Sequence, residues 1–137
     1  MKKISTFLSI FILISGILFS CSSDDDNGTE NNGSIIGTWN GVSSTYNGQN
    51  AGIPDNNIVI FNSNNRVQFI YEGFGNNGQD ISEEGSWTLN GTNLRIQWDD
   101  ADPGLEIYNL QILELTNSTL KWSTQVDGKT LTETFSK

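Results

Sequence analysis

Residues 85–98 read Gly85-Ser86-Trp87-Thr88-Leu89-Asn90-Gly91-Thr92-Asn93-Leu94-Arg95-Ile96-Gln97-Trp98. On either side of Asn90-Gly91 the large apolar residues fall on every second position: Trp87 and Leu89 before it, Leu94, Ile96 and Trp98 after it. An extended chain projects successive side chains to opposite faces, so this spacing describes two half-buried β-strands. Asn-Gly between them suits the positive φ that both central residues of a type I′ turn require. With Asn90-Gly91 as the turn, positions 89 and 92 pair. Trp87 then faces Leu94, and Trp98 lies opposite Glu83 further along the same face.

The pattern extends outward in both directions. Towards the N-terminus lie the apolar run Ile58 to Phe61, the alternation Val67, Phe69, Tyr71, and a first strand around Ile36 to Tyr46. Towards the C-terminus, Tyr108, Leu110 and Ile112 share one face and Leu113 and Leu115 the other, a change of phase that marks a β-bulge. Leu120, Trp122, Thr124 and Val126 alternate next, and then Leu131 and Phe135 flank Glu133 on a nominally inward face. Asp127-Gly128 is a second strong hairpin turn, with Asn64-Asn65 and Asn117-Ser118 weaker ones. No stretch carries the i, i+3, i+4, i+7 spacing of an amphipathic helix. About eight strands in hairpin order predict an all-β chain, an antiparallel up-and-down β-barrel whose closure removes exposed edges.

Composition narrows the function. The chain has 137 residues, room for one ordinary domain, since a domain takes roughly 100–200. It contains no His, the commonest general base and metal ligand, and one Cys, too few for a disulfide or a thiolate zinc site. Sixteen acidic against seven basic residues, net −9, argue against nucleic acid, whose phosphates call for clustered Lys and Arg. No P-loop, dinucleotide fingerprint or Ser-His or Cys-His arrangement occurs, so no enzyme and no cofactor is expected.

The N-terminal residues are of another kind. Lys2 and Lys3 precede an uncharged, mostly apolar run from Ile4 to Ser20, the layout of a secretory signal peptide. Leu18-Phe19-Ser20-Cys21 resembles the lipobox of bacterial lipoproteins. That resemblance implies cleavage after Ser20, lipidation of Cys21 and a lipid anchor in the outer membrane. Residues 21–34 are polar, Asn- and Gly-rich and carry Asp24-Asp25-Asp26, the composition of a disordered tether. The triplet resembles an export signal that displays some lipoproteins outward, and it reads equally as a solvating spacer. The expected organisation is therefore a signal peptide over 1–20, a tether over 21–34 and a barrel domain over 35–137.

Within that domain, Gly37-Thr38-Trp39 resembles the G-x-W opening of lipocalins, whose Trp packs across the closed end of the barrel. Residues 85–96 are similar to the central hairpin of lipocalin-like bacterial lipoproteins, and residues 108–122 to their penultimate hairpin. The resemblance implies an eight-stranded barrel with one open end. The chain departs from true lipocalins in its shorter length, and the sequence shows neither the basic residue nor the flanking helix that close the base in many members.

An eight-stranded barrel is just wide enough to be packed solid or to hold one small ligand. Trp87, Leu94, Trp98, Tyr71 and Trp122 are the candidate lining of a site for a small apolar ligand, with Trp39 assigned to the plug. The alternative is a solid barrel that meets a partner through its outer face or its loops at Tyr46 to Asn57 and Phe74 to Ile81. A cavity of ~300 Å³ or more favours the first reading. The acidic loop Asp99 to Glu106 lacks the spacing of a calcium loop and reads as a solvated turn. Glu83 with Glu84, or Glu133, are the candidates for paired catalytic carboxylates, which in glycosidases stand ~5 to 9.5 Å apart.

Overall fold

The computed structural model describes residues 31–100 and 107–137. The signal peptide, Cys21, Asp24 to Asp26 and residues 101–106 of the acidic loop lie outside them. Among the described residues no helix is long and apolar enough to cross a membrane.

The described residues form nine strands in chain order: β1 (Gly37–Tyr46), β2 (Gln49–Gly52), β3 (Ile58–Phe61), β4 (Arg66–Tyr71), β5 (Ile81–Asn90), β6 (Asn93–Trp98), β7 (Ile107–Leu115), β8 (Thr119–Val126) and β9 (Lys129–Ser136). From β3 to β9 each strand pairs antiparallel with the next, and β9 returns to pair with β1. β1 also pairs with β3, so eight strands close into a barrel as the sequence pattern predicts. β2 is the addition. Asn47 and Gly48 both take positive φ (50° and 79°), which turns the chain back in a tight hairpin on the upper part of β1. The segment 46–57 is therefore a short ribbon followed by a loop.

The turn between β5 and β6 differs from the one expected. Asn90 pairs with Asn93, Leu89 with Leu94, Trp87 with Ile96, and Gly85 with Trp98. The two central residues are thus Gly91 and Thr92, and only Gly91 has positive φ (59°), the type II′ pattern with Gly first. The register moves by two residues, so Trp87 faces Ile96 in place of Leu94, and Trp98 faces Gly85 in place of Glu83. Faces are unchanged by an even shift. The Asp127-Gly128 turn is as read, with φ of 51° and 73° and Val126 paired with Lys129.

Two bulges reset the alternation. Leu113 is the extra residue between Ile112 and Glu114, so Ile112 and Leu115 both point inward while Leu113 is left outside. Val42 plays the same part in β1. Residues 31–34, expected in the tether, run beside the end of β7: Asn31 bridges to Leu115, and the Gly33 amide donates to the Leu115 carbonyl at 3.0 Å. A Cβ on Gly33 would come 2.1 Å from the Thr116 carbonyl oxygen, so only glycine allows that approach.

One end of the barrel is filled. Trp39 is 0% exposed; its Nε1–H donates to the Ile35 carbonyl at 2.7 Å, and the Lys137 ammonium lies 4.2 Å from its ring centroid. Lys137 also donates to the carbonyls of Ser34 and Ile36, each at 2.9 Å. The basic residue that the sequence did not reveal at the base is therefore supplied by Lys137, about 100 residues away along the chain and brought there by the β1–β9 pairing. Phe61, Val59, Ile96, Leu94, Ile112 and Leu120 continue the packing, and all are buried.

Candidate functional site

At the other end the barrel holds a cavity of about 450 Å³. The strands bring Ser44 and Tyr46 of β1, Phe69 and Tyr71 of β4, Glu83 of β5, Trp98 of β6, Tyr108 of β7 and Leu131 and Glu133 of β9 to its wall. The loop after β2 bends over the mouth and adds Pro54, Asp55 and Asn56. Its far end is fixed at Asn57. The Gly41 amide donates to the Asn57 carbonyl at 2.7 Å, and the Glu72 amide donates to the Asn57 side chain at 3.1 Å.

Ser44, Asn56 and Glu133 are the three buried polar residues among those described, and all three line this one cavity. Burying a polar group is unfavourable unless a partner meets it. Glu133 is 5% exposed and accepts a 2.6 Å hydrogen bond from Trp122 Nε1–H. Burial raises its carboxyl above the usual range; the Trp122 bond works the other way, and the negative charge of Asp55 adds a little to the rise. Beneath it Trp122 stacks on Phe69, centroids 6.0 Å apart and rings within 6° of parallel, and Phe135 packs against Trp122 at 4.6 Å. These rings form the floor.

The wall above is aromatic with polar tips. Trp98 meets Phe69 edge-on at 4.9 Å. Its ring lies over Gly85, where a Cβ would come 3.1 Å from Trp98 Cε3 and 2.4 Å from the Gln97 carbonyl oxygen. The Tyr71 hydroxyl donates to Glu83 Oε2 at 2.7 Å. Burial pushes the Tyr108 hydroxyl up to about 12 and moves Tyr71 in the same direction, helped by Glu83, so both stay neutral donors at ordinary pH.

The sequence-derived lining divides three ways. Tyr71 and Trp98 line the cavity. Trp122 sits one layer below as part of the floor and holds Glu133. Trp87 and Leu94 are away from it: Trp87 packs edge-on against Phe61 at 5.6 Å and donates to the Asn62 carbonyl at the filled end, and Leu94 is 1% exposed in the core. Glu83 and Glu84 are adjacent on one strand and project to opposite faces. Glu84 pairs outside with Arg66 at 3.7 Å, so the two cannot flank one bond. Asp99, the described start of the acidic loop, is paired with Arg66 on the outer surface and its carboxyl is held low by that bond. Among the described residues no group of three or more acidic, His or Cys side chains gathers as a metal site.

Tyr108, which the sequence also offered as an aromatic for a pocket, lines the cavity, and Glu133, Phe69, Ser44 and Asn56 are among the lining residues missing from the sequence-derived set. For Glu133 a signal was present. A two-residue turn at Asp127-Gly128 pairs 126 with 129 and hence 122 with 133, which sets an inward acid beside an inward indole.

A family model described as a lipocalin-like domain matches residues 35–122, more than half of the chain. Two solved structures are similar in fold. One is a lipocalin-like protein from Bacteroides uniformis, 16% identical, with a TM-score of 0.60 over 75% of this chain and 97% of that one. The other is an uncharacterized protein from Bacteroides eggerthii, 13% identical, with a TM-score of 0.58 over 76% of this chain and 99% of that one. No curated protein matches the sequence.

Proposed function

The chain belongs to the lipocalin-like domain family, and from that premise we propose that it is a non-enzymatic binding module that takes a small ligand with an apolar body into the open end of its barrel. One observation carries the reading. A cavity of about 450 Å³ stands above a solid base, within the range of roughly 300–1,000 Å³ typical of small-molecule sites, and its wall combines aromatic rings with polar and acidic groups. Calorimetric titration of the full chain with a panel of small aromatic compounds is expected to give saturable binding. Trp98→Ala should weaken it, and Trp87→Phe, at the filled end, should leave it alone. Absence of saturable binding across the panel supports the alternative, a barrel that works through its outer surface.

The proposal includes the cell envelope as its setting. It rests on the Leu18 to Cys21 lipobox and on the polar segment that follows, which would hold the barrel off an outer membrane on a lipidated Cys21. Cys21→Ser should leave the precursor uncleaved and unlabelled by fatty acid; normal processing of that variant rejects the anchor. Replacing Asp24, Asp25 and Asp26 with Ala should abolish cleavage by protease added to intact cells if the protein faces outward. Unchanged cleavage leaves the triplet as a spacer.

A further inference from the structure

We infer that the cavity selects a small organic cation, its charged nitrogen set against the Glu133 carboxylate and its carbon body held among Phe69, Tyr71 and Trp98. This deepens the binding reading above and rests on it.

The first ground is an unfinished ion pair. Glu133 is buried, and the one hydrogen bond it accepts among the described residues is that from Trp122 Nε1–H to Oε2. No buried side-chain nitrogen or oxygen among those residues lacks a partner, so the second carboxyl oxygen is the one that opens on the cavity. An ionised carboxylate has about four acceptor positions and is costly to bury without a counter-charge. Among the described residues none is provided here. None of the lining residues is basic, and the two salt bridges among the described residues both belong to Arg66 on the outer surface. Burial raises the Glu133 carboxyl out of the usual range, and no basic residue on the lining offsets that rise.

The second ground is the sign and chemistry of the walls. Asp55 on the mouth loop and Glu83 at the rim add negative charge to the same concavity, and a cleft lined by one sign raises the local concentration of the opposite one. Aromatic rings attract cations through the ring quadrupole, and Phe69, Tyr71 and Trp98 all line the cavity. A fatty acid fits the apolar walls equally well, but its carboxylate would meet Glu133, Glu83 and Asp55, all of its own sign.

Three probes that share one ring and differ in charge test this: 2-phenylethylamine, 2-phenylethanol and phenylacetate, titrated calorimetrically into the full chain in detergent at neutral pH. The amine should bind at least ~10-fold tighter than the alcohol, with phenylacetate weakest. Glu133→Gln should bring amine and alcohol within about 3-fold of each other without weakening the alcohol. Glu83→Gln, at the exposed rim where folding is not at stake, should narrow the preference by less. Equal binding of alcohol and amine by the wild type, or a preference that survives both substitutions, overturns the cation inference and leaves the binding reading intact. Failure of all three probes to saturate overturns both.

Discussion

Trp39 and Trp98 both point into the barrel, and their surroundings separate its two halves. Around Trp39 the described residues place no buried polar side chain of the three that line the cavity, the indole N–H is spent on the Ile35 carbonyl, and Lys137 covers the ring from outside. Around Trp98 stand Glu133, Tyr71, Tyr108 and Glu83, beside a space large enough for a guest. The filled half is what a chain builds for stability, since close-packed apolar burial is its largest favourable term. The open half gives up packing and buries polar atoms, which opposes folding. A concentration of unfavourable choices at one end of an otherwise consistent fold is where function is expected.

The largest test of that contrast is Trp39→Ala. It should lower stability by about 3–5 kcal/mol, as large-to-small aromatic substitutions in packed cores do, with Trp98→Ala costing clearly less. Urea unfolding midpoints would show it, and equal losses would erase the distinction. Next comes Gly85→Ala, whose Cβ has no room between the Gln97 carbonyl and the Trp98 ring. A cost of about 1–3 kcal/mol is expected, as for overpacking, together with a change in near-ultraviolet circular dichroism as Trp98 moves.

A third test uses pH. The Glu133 carboxyl is raised on folding, so between the ordinary Glu value of 4.5 and the raised one the folded state holds more protons than the unfolded. Stability should therefore fall as pH rises through that interval, by up to about 1.4 kcal/mol per pH unit for one proton, and Glu133→Gln should flatten the slope. The groups facing it from neighbouring elements are Tyr46, Asp55, Tyr71, Glu83 and Tyr108, and burial holds the hydroxyls of Tyr71 and Tyr108 far above that interval. A wild-type slope unchanged in the variant assigns the effect elsewhere. The smallest effect belongs to Lys137→Ala, about 0.5–1 kcal/mol from the lost contact over Trp39, with no change in probe affinity at the far end. Weakened binding in that variant would mean the halves are coupled.

The sequence carried the barrel because its signals are local. Period-2 runs identify strands, Asp127-Gly128 and Gly91 identify turns, and the phase change at Leu113 identifies a bulge. The register of β5 on β6 was not legible, because Gly91 serves a type II′ turn in the first central position as well as a type I′ turn in the second. Nor was the division of inward residues between plug and cavity. Alternation says which way Trp87 and Trp98 point, but their height along the barrel depends on strand tilt and stagger, set by all eight strands together. That is why Trp87 and Leu94 read as candidate lining and lie in the core. Lys137 was hidden for a related reason, since its contact with Trp39 exists only once the two ends of the domain meet.

The pairing of β1 with β9 sets Ser44 directly across from Glu133, so the seam that closes the barrel runs through the floor of the cavity. Nearly the whole domain separates these two residues along the chain, and such distant pairings form late and slowly compared with local hairpins. A nascent polypeptide that has made every hairpin from β3 to β8 still has no pocket. Its acid arrives with β9, and the hollow takes shape in the same step that ends exposure of the β1 edge. Ligand competence in this protein is thus coupled to closure of the barrel, and copies in which β1 and β9 have not met are silent by construction.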